Sequence, residues 1–174
     1  MIIDLSTPIH WAIIESLKAG DNVTITGWVY TARDAAHKRM AEAALNGDKP
    51  PFEYEQQVVF YAGPCPAPPG RPVGSIGPTT AGRMDAYAPV LIEAGLKVMI
   101  GKGNRTAAVL DAIKTHCGLY LAAVGGVAAL MAQCVKHSEV VAYEDLGTEA
   151  IRRLYVVDMP LIVAIDFKGR SVYA

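Results

Sequence analysis

A chain of 174 residues, 52% hydrophobic and 19% charged, has the length of one domain and can bury roughly 70% of its unfolded surface. Its net charge of −1, with no basic run, excludes the electrostatic footprint of a nucleic-acid binder. The three cysteines, Cys65, Cys117 and Cys134, lack CxxC spacing, which excludes a disulfide framework and zinc or ferredoxin-type sites. Met1 to Leu5 shows no basic run ahead of an apolar core, so no signal peptide is expected there. The longest apolar stretch, Leu119 to Met131, is too short to cross a bilayer. These features predict a soluble cytoplasmic domain over residues 1–174, whose apolar surplus is either partly covered by another chain or that of an ordinary alanine-rich core.

In chain order, Pro8 to Lys18 predicts a short helix. Asp21-Asn22 turns into Val23 to Tyr30, whose alternating β-branched residues predict a strand. A helix follows from Thr31 to about Leu45 and stops at Gly47 to Pro51. Val58 to Ala62 is apolar throughout, as a buried strand is. The proline- and glycine-rich segment from Gly63 to Gly77 reads as an ordered loop, since prolines lower the entropy cost of holding one shape. Ala86 to Ala94 predicts a helix that closes at Gly95, and Lys97 to Gly101 a strand. Arg105 to His116 reads as a helix, then Gly118 to Ala129 as a strand and glycine turn, with helix towards Val135. Ile151 to Asp158 and Pro160 to Asp166 predict two strands, the second ending in a Lys168-Gly169 turn. The alternation is that of an α/β fold with a mixed, mainly parallel sheet.

The chemistry concentrates in Gly77-Pro78-Thr79-Thr80-Ala81-Gly82-Arg83-Met84-Asp85. Thr79 and Thr80 are read at a helix start, where free N–H groups and two hydroxyls favour an anion. Arg83, four residues after Thr79, can share that ligand. The alternative is an ordinary N-cap followed by a surface arginine. Arg33, Arg83 and Lys102 each stand after a strand or the proline loop, where α/β folds gather ligands. Together they suit a small dicarboxylate. His37 is either a proton carrier near Arg33 or a structural helix-face histidine. Asp34 and Asp85 are read as orienting the arginines they follow, Arg33 and Arg83. Cys117 and Cys134 read as buried thiols, whereas Cys65, among prolines, could line a pocket. No nucleophile elbow, Walker loop or dinucleotide fingerprint is present. The residues read like half of an active site.

The runs Tyr30 to Arg39, Gly77 to Asp85 and Gly101-Lys102-Gly103-Asn104 resemble the C-terminal domain or β subunit of class I fumarases and L-tartrate dehydratases. The resemblance extends through Gly147 to Ile151 and Pro160 to Gly169, nearly the whole chain. It implies a swivelling β/β/α domain of an oxygen-sensitive 4Fe–4S hydro-lyase. In that family three cysteines of the α subunit or N-terminal half hold the cluster, and its open iron acts as a Lewis acid on the leaving hydroxyl. This chain shows no such half and no matching cysteines. It is therefore expected to be the β subunit of a hetero-oligomer, inactive without its α subunit. Carried over by motif, Arg33, Arg83 and Lys102 bind the substrate carboxylates with Thr80 beside them, and Thr79 is the proposed base. Reversible hydration of fumarate to L-malate is the first expectation. Dehydration of L-tartrate to oxaloacetate is the second, and a non-catalytic carboxylate-binding module the third.

Overall fold

A computed structural model describes residues 1–123 and 128–173. Seven strands form one mixed sheet: β1 (Ile2–Ser6), β2 (Asn22–Thr31), β3 (Val58–Phe60), β4 (Val98–Gly101), β5 (Leu119–Ala122), β6 (Val135–Ala142) and β7 (Ile151–Ile165). β1 pairs with β2, β2 with β3, β3 with β4 and β4 with β5, all parallel. β7 runs antiparallel to β5, β6 and β2. Because β7 joins β5 back to β2, strands β2, β3, β4, β5 and β7 close into a ring, which removes the open edges these strands would otherwise expose.

The period-2 pattern of β2 decides which residues enter that ring. Val23, Ile25 and Val29 are buried on one face, while the residues between them are partly exposed. They join Phe60, Ile100, Leu121 and Val163 in one core cluster, to which Ile14 and Leu17 around α1 (Trp11–Ser16) and Met131 of α5 (Ala128–Cys134) also belong. The alternate residues Val59, Met99 and Tyr120 of β3 to β5, with Tyr61 just past β3, belong to a second cluster. It packs under α2 (Asp34–Leu45), α3 (Ala88–Glu93) and α4 (Ala107–His116) through Met40, Leu91 and Ile113.

Several predicted boundaries move, each for a local reason. Thr31 belongs to β2, and Arg33 is still extended (φ −110°, ψ −160°), so α2 begins at Asp34. The predicted helix from Ala86 shortens to α3, with Pro89 in its first turn, where the missing N–H has no intrahelical acceptor. Ala81–Met84 is instead a separate 3₁₀ turn. Thr79 and Thr80 therefore precede a 3₁₀ turn, not an α-helix, and the Thr80 side chain makes no capping bond. The two C-terminal strands are one, β7. Asp158 turns to φ 50° in mid-strand, and its N–H donates to the Thr26 hydroxyl at 3.0 Å, so the strand bends without ending. β1 and β6 were not predicted. The proline-rich segment folds back on itself, the Cys65 N–H donating to Ser75 O (2.9 Å) and the Gly74 N–H to Cys65 O (3.0 Å). The predicted glycine turn at 125–126 lies outside the described residues.

Candidate functional site

The parallel strands β2, β3 and β4 end side by side, and hydrogen bonds continue beyond them. Ala32 N–H donates to Phe60 O (3.0 Å) and Tyr61 N–H to Ile100 O (2.8 Å). The chain returning from the proline loop enters this end. Thr79 N–H donates to Tyr61 O (2.6 Å), Lys102 N–H to Thr79 O (3.3 Å) and Ala81 N–H to Lys102 O (2.8 Å). Thr80 and Lys102 thus form a single parallel bridge, and both are exposed, with Thr79 half-buried beside them. Gly101 allows the approach, since a Cβ there would lie 2.9 Å from Tyr61 Cδ2 and 3.1 Å from the Ala81 Cβ.

The arginines meet at the start of α2. Arg83 Nε and Nη2 both bind Asp34 Oδ2, at 3.0 and 2.9 Å. Asp34 therefore pairs with Arg83 and not with Arg33, the arginine it follows in sequence. The Arg33 Nε is buried and has no hydrogen-bond partner among the described residues, and neither does Asp34 Oδ1. Arg33 lies against Gly63, where a Cβ would come within 2.9 Å of its Cδ. The fold thus joins Thr79, Thr80 and Lys102 through the backbone, and Arg83 to Asp34 next to Arg33. An unpaired Arg33 Nε and a half-exposed Arg83 are donors fit for carboxylate oxygens.

Below this surface is a buried polar cluster that sequence spacing did not reveal. Arg105 Nε donates to Asp85 Oδ1 (2.7 Å) and its Nη2 to the Tyr61 hydroxyl (3.1 Å). Asp85 Oδ2 accepts from the Thr106 N–H at 2.6 Å. The guanidinium lies 4.7 Å from the Tyr120 ring centre and 5.1 Å from that of Tyr61. Asp85 accordingly orients Arg105, not Arg83. Burial works against the Arg105 charge, but Tyr61 and Asp85 outweigh it and hold the group above its ordinary pKa. The pair is twenty residues apart in sequence, and nothing but the charge of Arg105 at a helix start could have signalled it.

His37 is buried, and its ring stands edge-on to Tyr61 (5.0 Å between centres, 78°). Arg33 O accepts from both the His37 N–H (2.8 Å) and the ring Nδ1 (3.0 Å), so Nδ1 carries the proton. Burial lowers its pKa from 6.5 to about 4, against the opposing pull of the Arg33 carbonyl. The ring is neutral near pH 7 and fixes the Arg33 backbone.

A cleft of about 380 Å³ lies between the proline loop and β6, lined by Pro64, Cys65, Val73, Val140, Thr148 and Arg152 among others. Cys65 is exposed there, whereas Cys117 and Cys134 are half-buried, with thiols pushed up in pKa by burial. Among the described residues no group of three or more His, Cys, Asp or Glu side chains is placed to hold a metal ion. Among those residues the three cysteines are not gathered with other donors as a 4Fe–4S cluster would need. No helix among the described residues is long and apolar enough to cross a membrane.

A closed ring of strands with hydroxyls and cations gathered at one end is the α/β architecture of this chain. The chain matches the Fumarase C-terminus family over residues 1–174 and belongs to that family. It is 39% identical to the anaerobic class I fumarate hydratase of Escherichia coli K12, over 98% of this chain and 32% of that enzyme. It is 37% identical to fumarate hydratase 2 of Leishmania major, over 99% of this chain and 31% of the relative. It is also 37% identical to the "Putative L(+)-tartrate dehydratase subunit beta" of Methanocaldococcus jannaschii, over 92% of this chain and 85% of that one. The chain thus spans about a third of the length of the fumarate hydratases it matches.

Proposed function

We propose that this chain is the dicarboxylate-binding β subunit of a hydro-lyase that interconverts fumarate and L-malate. The observation that carries the reading is the strand-end junction, where Tyr61 O, Thr79 and Lys102 interlock and Arg83 reaches the first residue of α2, beside Arg33. Three cations suit a substrate with two carboxylates. Arginine forks a carboxylate oxygen pair, and lysine supplies a compact charge. The Thr80 hydroxyl adds a further donor.

Hydration delivers a hydroxyl to one alkene carbon and a proton to its neighbour, and the reverse reaction removes both. Thr79 is the group assigned to the proton. A threonine hydroxyl is a weak base, and nearby cations lower the cost of its ionised form. His37 is neutral and engaged with Arg33 O, so its role is to hold Arg33 rather than to relay protons. The 4Fe–4S cluster of the reaction belongs to a partner α subunit, because the described cysteines of this chain are not gathered to hold it. The chain alone is then inactive.

Tartrate dehydration is the second reading, favoured by one observation: the chain covers 85% of the tartrate dehydratase-type β-subunit relative but 32% of the fumarate hydratase. Anaerobic co-expression with a cluster-bearing α subunit, followed by assays on fumarate, L-malate and L-tartrate, separates the two. Faster turnover of fumarate and malate is expected. Preference for tartrate selects the second reading, and no turnover of any diacid reduces the chain to a carboxylate-binding module.

A further inference from the structure

Three segments of the candidate site are each tied to one buried side chain, Arg105, or to its direct partners. The end of β3 anchors Thr79 through Tyr61 O, and the hydroxyl of the same tyrosine accepts from Arg105. The 3₁₀ turn that carries Arg83 ends at Asp85, whose carboxylate binds Arg105 and caps the start of α4 through the Thr106 N–H. The turn after Lys102 is held by the Tyr120 hydroxyl, which donates to Gly103 O at 2.8 Å, and Arg105 lies over that ring. We propose that Arg105 is a positioning residue for the diacid site: its guanidinium locks Tyr61, Asp85 and the Tyr120 ring together, so that Thr79, Arg83 and Lys102 keep one mutual geometry. The proposal rests on the dicarboxylate reading for its purpose, though not for its geometry.

The physical case is that each group the guanidinium holds belongs to a different element. Arg105 is 8% exposed, its side chain and that of Asp85 almost wholly out of water. A buried ion pair gains little stability over apolar packing, but it is directional and tolerates few arrangements. Lysine at this position keeps the charge but has no planar fork to bind Asp85 and the Tyr61 hydroxyl at once. The Arg83 and Lys102 side chains are themselves exposed, so apart from the Asp34 pair and the backbone bonds at Lys102 little packing restrains them.

Amide hydrogen exchange of the full chain tests the geometry directly. In Arg105→Lys, exchange at Thr79, Lys102 and Thr106 is expected to quicken by about tenfold or more, while β2 amides paired with β7 stay within about twofold. Uniform acceleration, or none, overturns the proposal, because a general contribution to stability would raise exchange throughout the core. If Arg105→Lys does not fold, Tyr61→Phe removes only the hydroxyl that Arg105 binds. It should quicken Thr79 exchange by about threefold, and unchanged exchange there overturns the proposal. In the assembled enzyme, Arg105→Lys should lower kcat for fumarate by about tenfold with KM within about threefold, and a wild-type kcat overturns it. A wild-type assembly that turns over no diacid refutes the proposed function instead, and the exchange pattern still decides whether Arg105 positions these segments.

Discussion

Lowering the pH from neutrality forces a choice on the His37 ring: take a proton inside the core, or unfold. Its pKa is 6.5 in an exposed setting and about 4 in the folded chain, where burial disfavours the cation and Arg105 adds repulsion. Above 6.5 neither state is protonated at this ring, and its contribution to stability does not vary with pH. Between 6.5 and about 4 the unfolded chain binds a proton that the folded chain refuses. Stability therefore falls as pH falls through that window, with a slope approaching ~1.4 kcal/mol per pH unit and a total loss of about 3 kcal/mol. Urea denaturation of the wild type and of His37→Gln at pH values from about 7.5 down to about 4.5 isolates the effect, since carboxylate titrations cancel in the difference. The advantage of the wild type over the variant should shrink by about 2–3 kcal/mol across the range. Parallel stability curves, or a His37 ring that titrates near 6.5 in the folded chain, would show that burial does not suppress its charge.

In the assembled enzyme, Arg83→Lys loses the fork and should weaken substrate and unreactive diacid inhibitors alike by about 1–3 kcal/mol; unaltered inhibitor affinity excludes Arg83 from the site. Thr79→Val should cut turnover by about a hundredfold while leaving inhibitor binding nearly unchanged. Near-normal turnover in a folded, cluster-loaded variant removes Thr79 from the mechanism. Asp166 is fully buried and accepts from Ala19 N, Lys168 N, Arg170 N and Arg170 Nε at 2.7 to 3.1 Å. Asp166→Ala should cost on the order of 3 kcal/mol by thermal melting, and an unshifted melt contradicts this account of the C-terminal turn. Gly101→Ala drives a methyl against Tyr61 and Ala81 and should cost about 1–3 kcal/mol; a fully stable variant would mean that the approach of Thr79 to β4 is looser than described.

The patterns most legible in the sequence were those a single element carries by itself. The alternation of β2 follows from burying one face and the apolar run of β3 from burying both, and the helices α2 and α4 also lie close to where they are expected. β6 escaped notice because its residues are mostly exposed or half-buried and show no apolar face, so only pairing with β7 makes it a strand. β1 is five residues long with one of them buried, and it too depends on its neighbour.

For the site, chain order alone sets which residue types follow which strands: Thr79, Thr80 and Arg83 after the proline loop, Arg33 after β2 and Lys102 after β4. Their partners were beyond its reach. Sequence proximity points Asp34 at Arg33, but it binds Arg83, and points Asp85 at Arg83, but it binds Arg105. A carboxylate adjacent in sequence to a cation at an element boundary points wherever the backbone turns it, whereas one carried by a neighbouring segment can face the cation directly. Local sequence encodes the turn and the charge. The closing of β7 onto β2 and β5, and the docking of the 3₁₀ turn on α2 and α4, decide which charges meet, because those contacts exist only once the strands are paired.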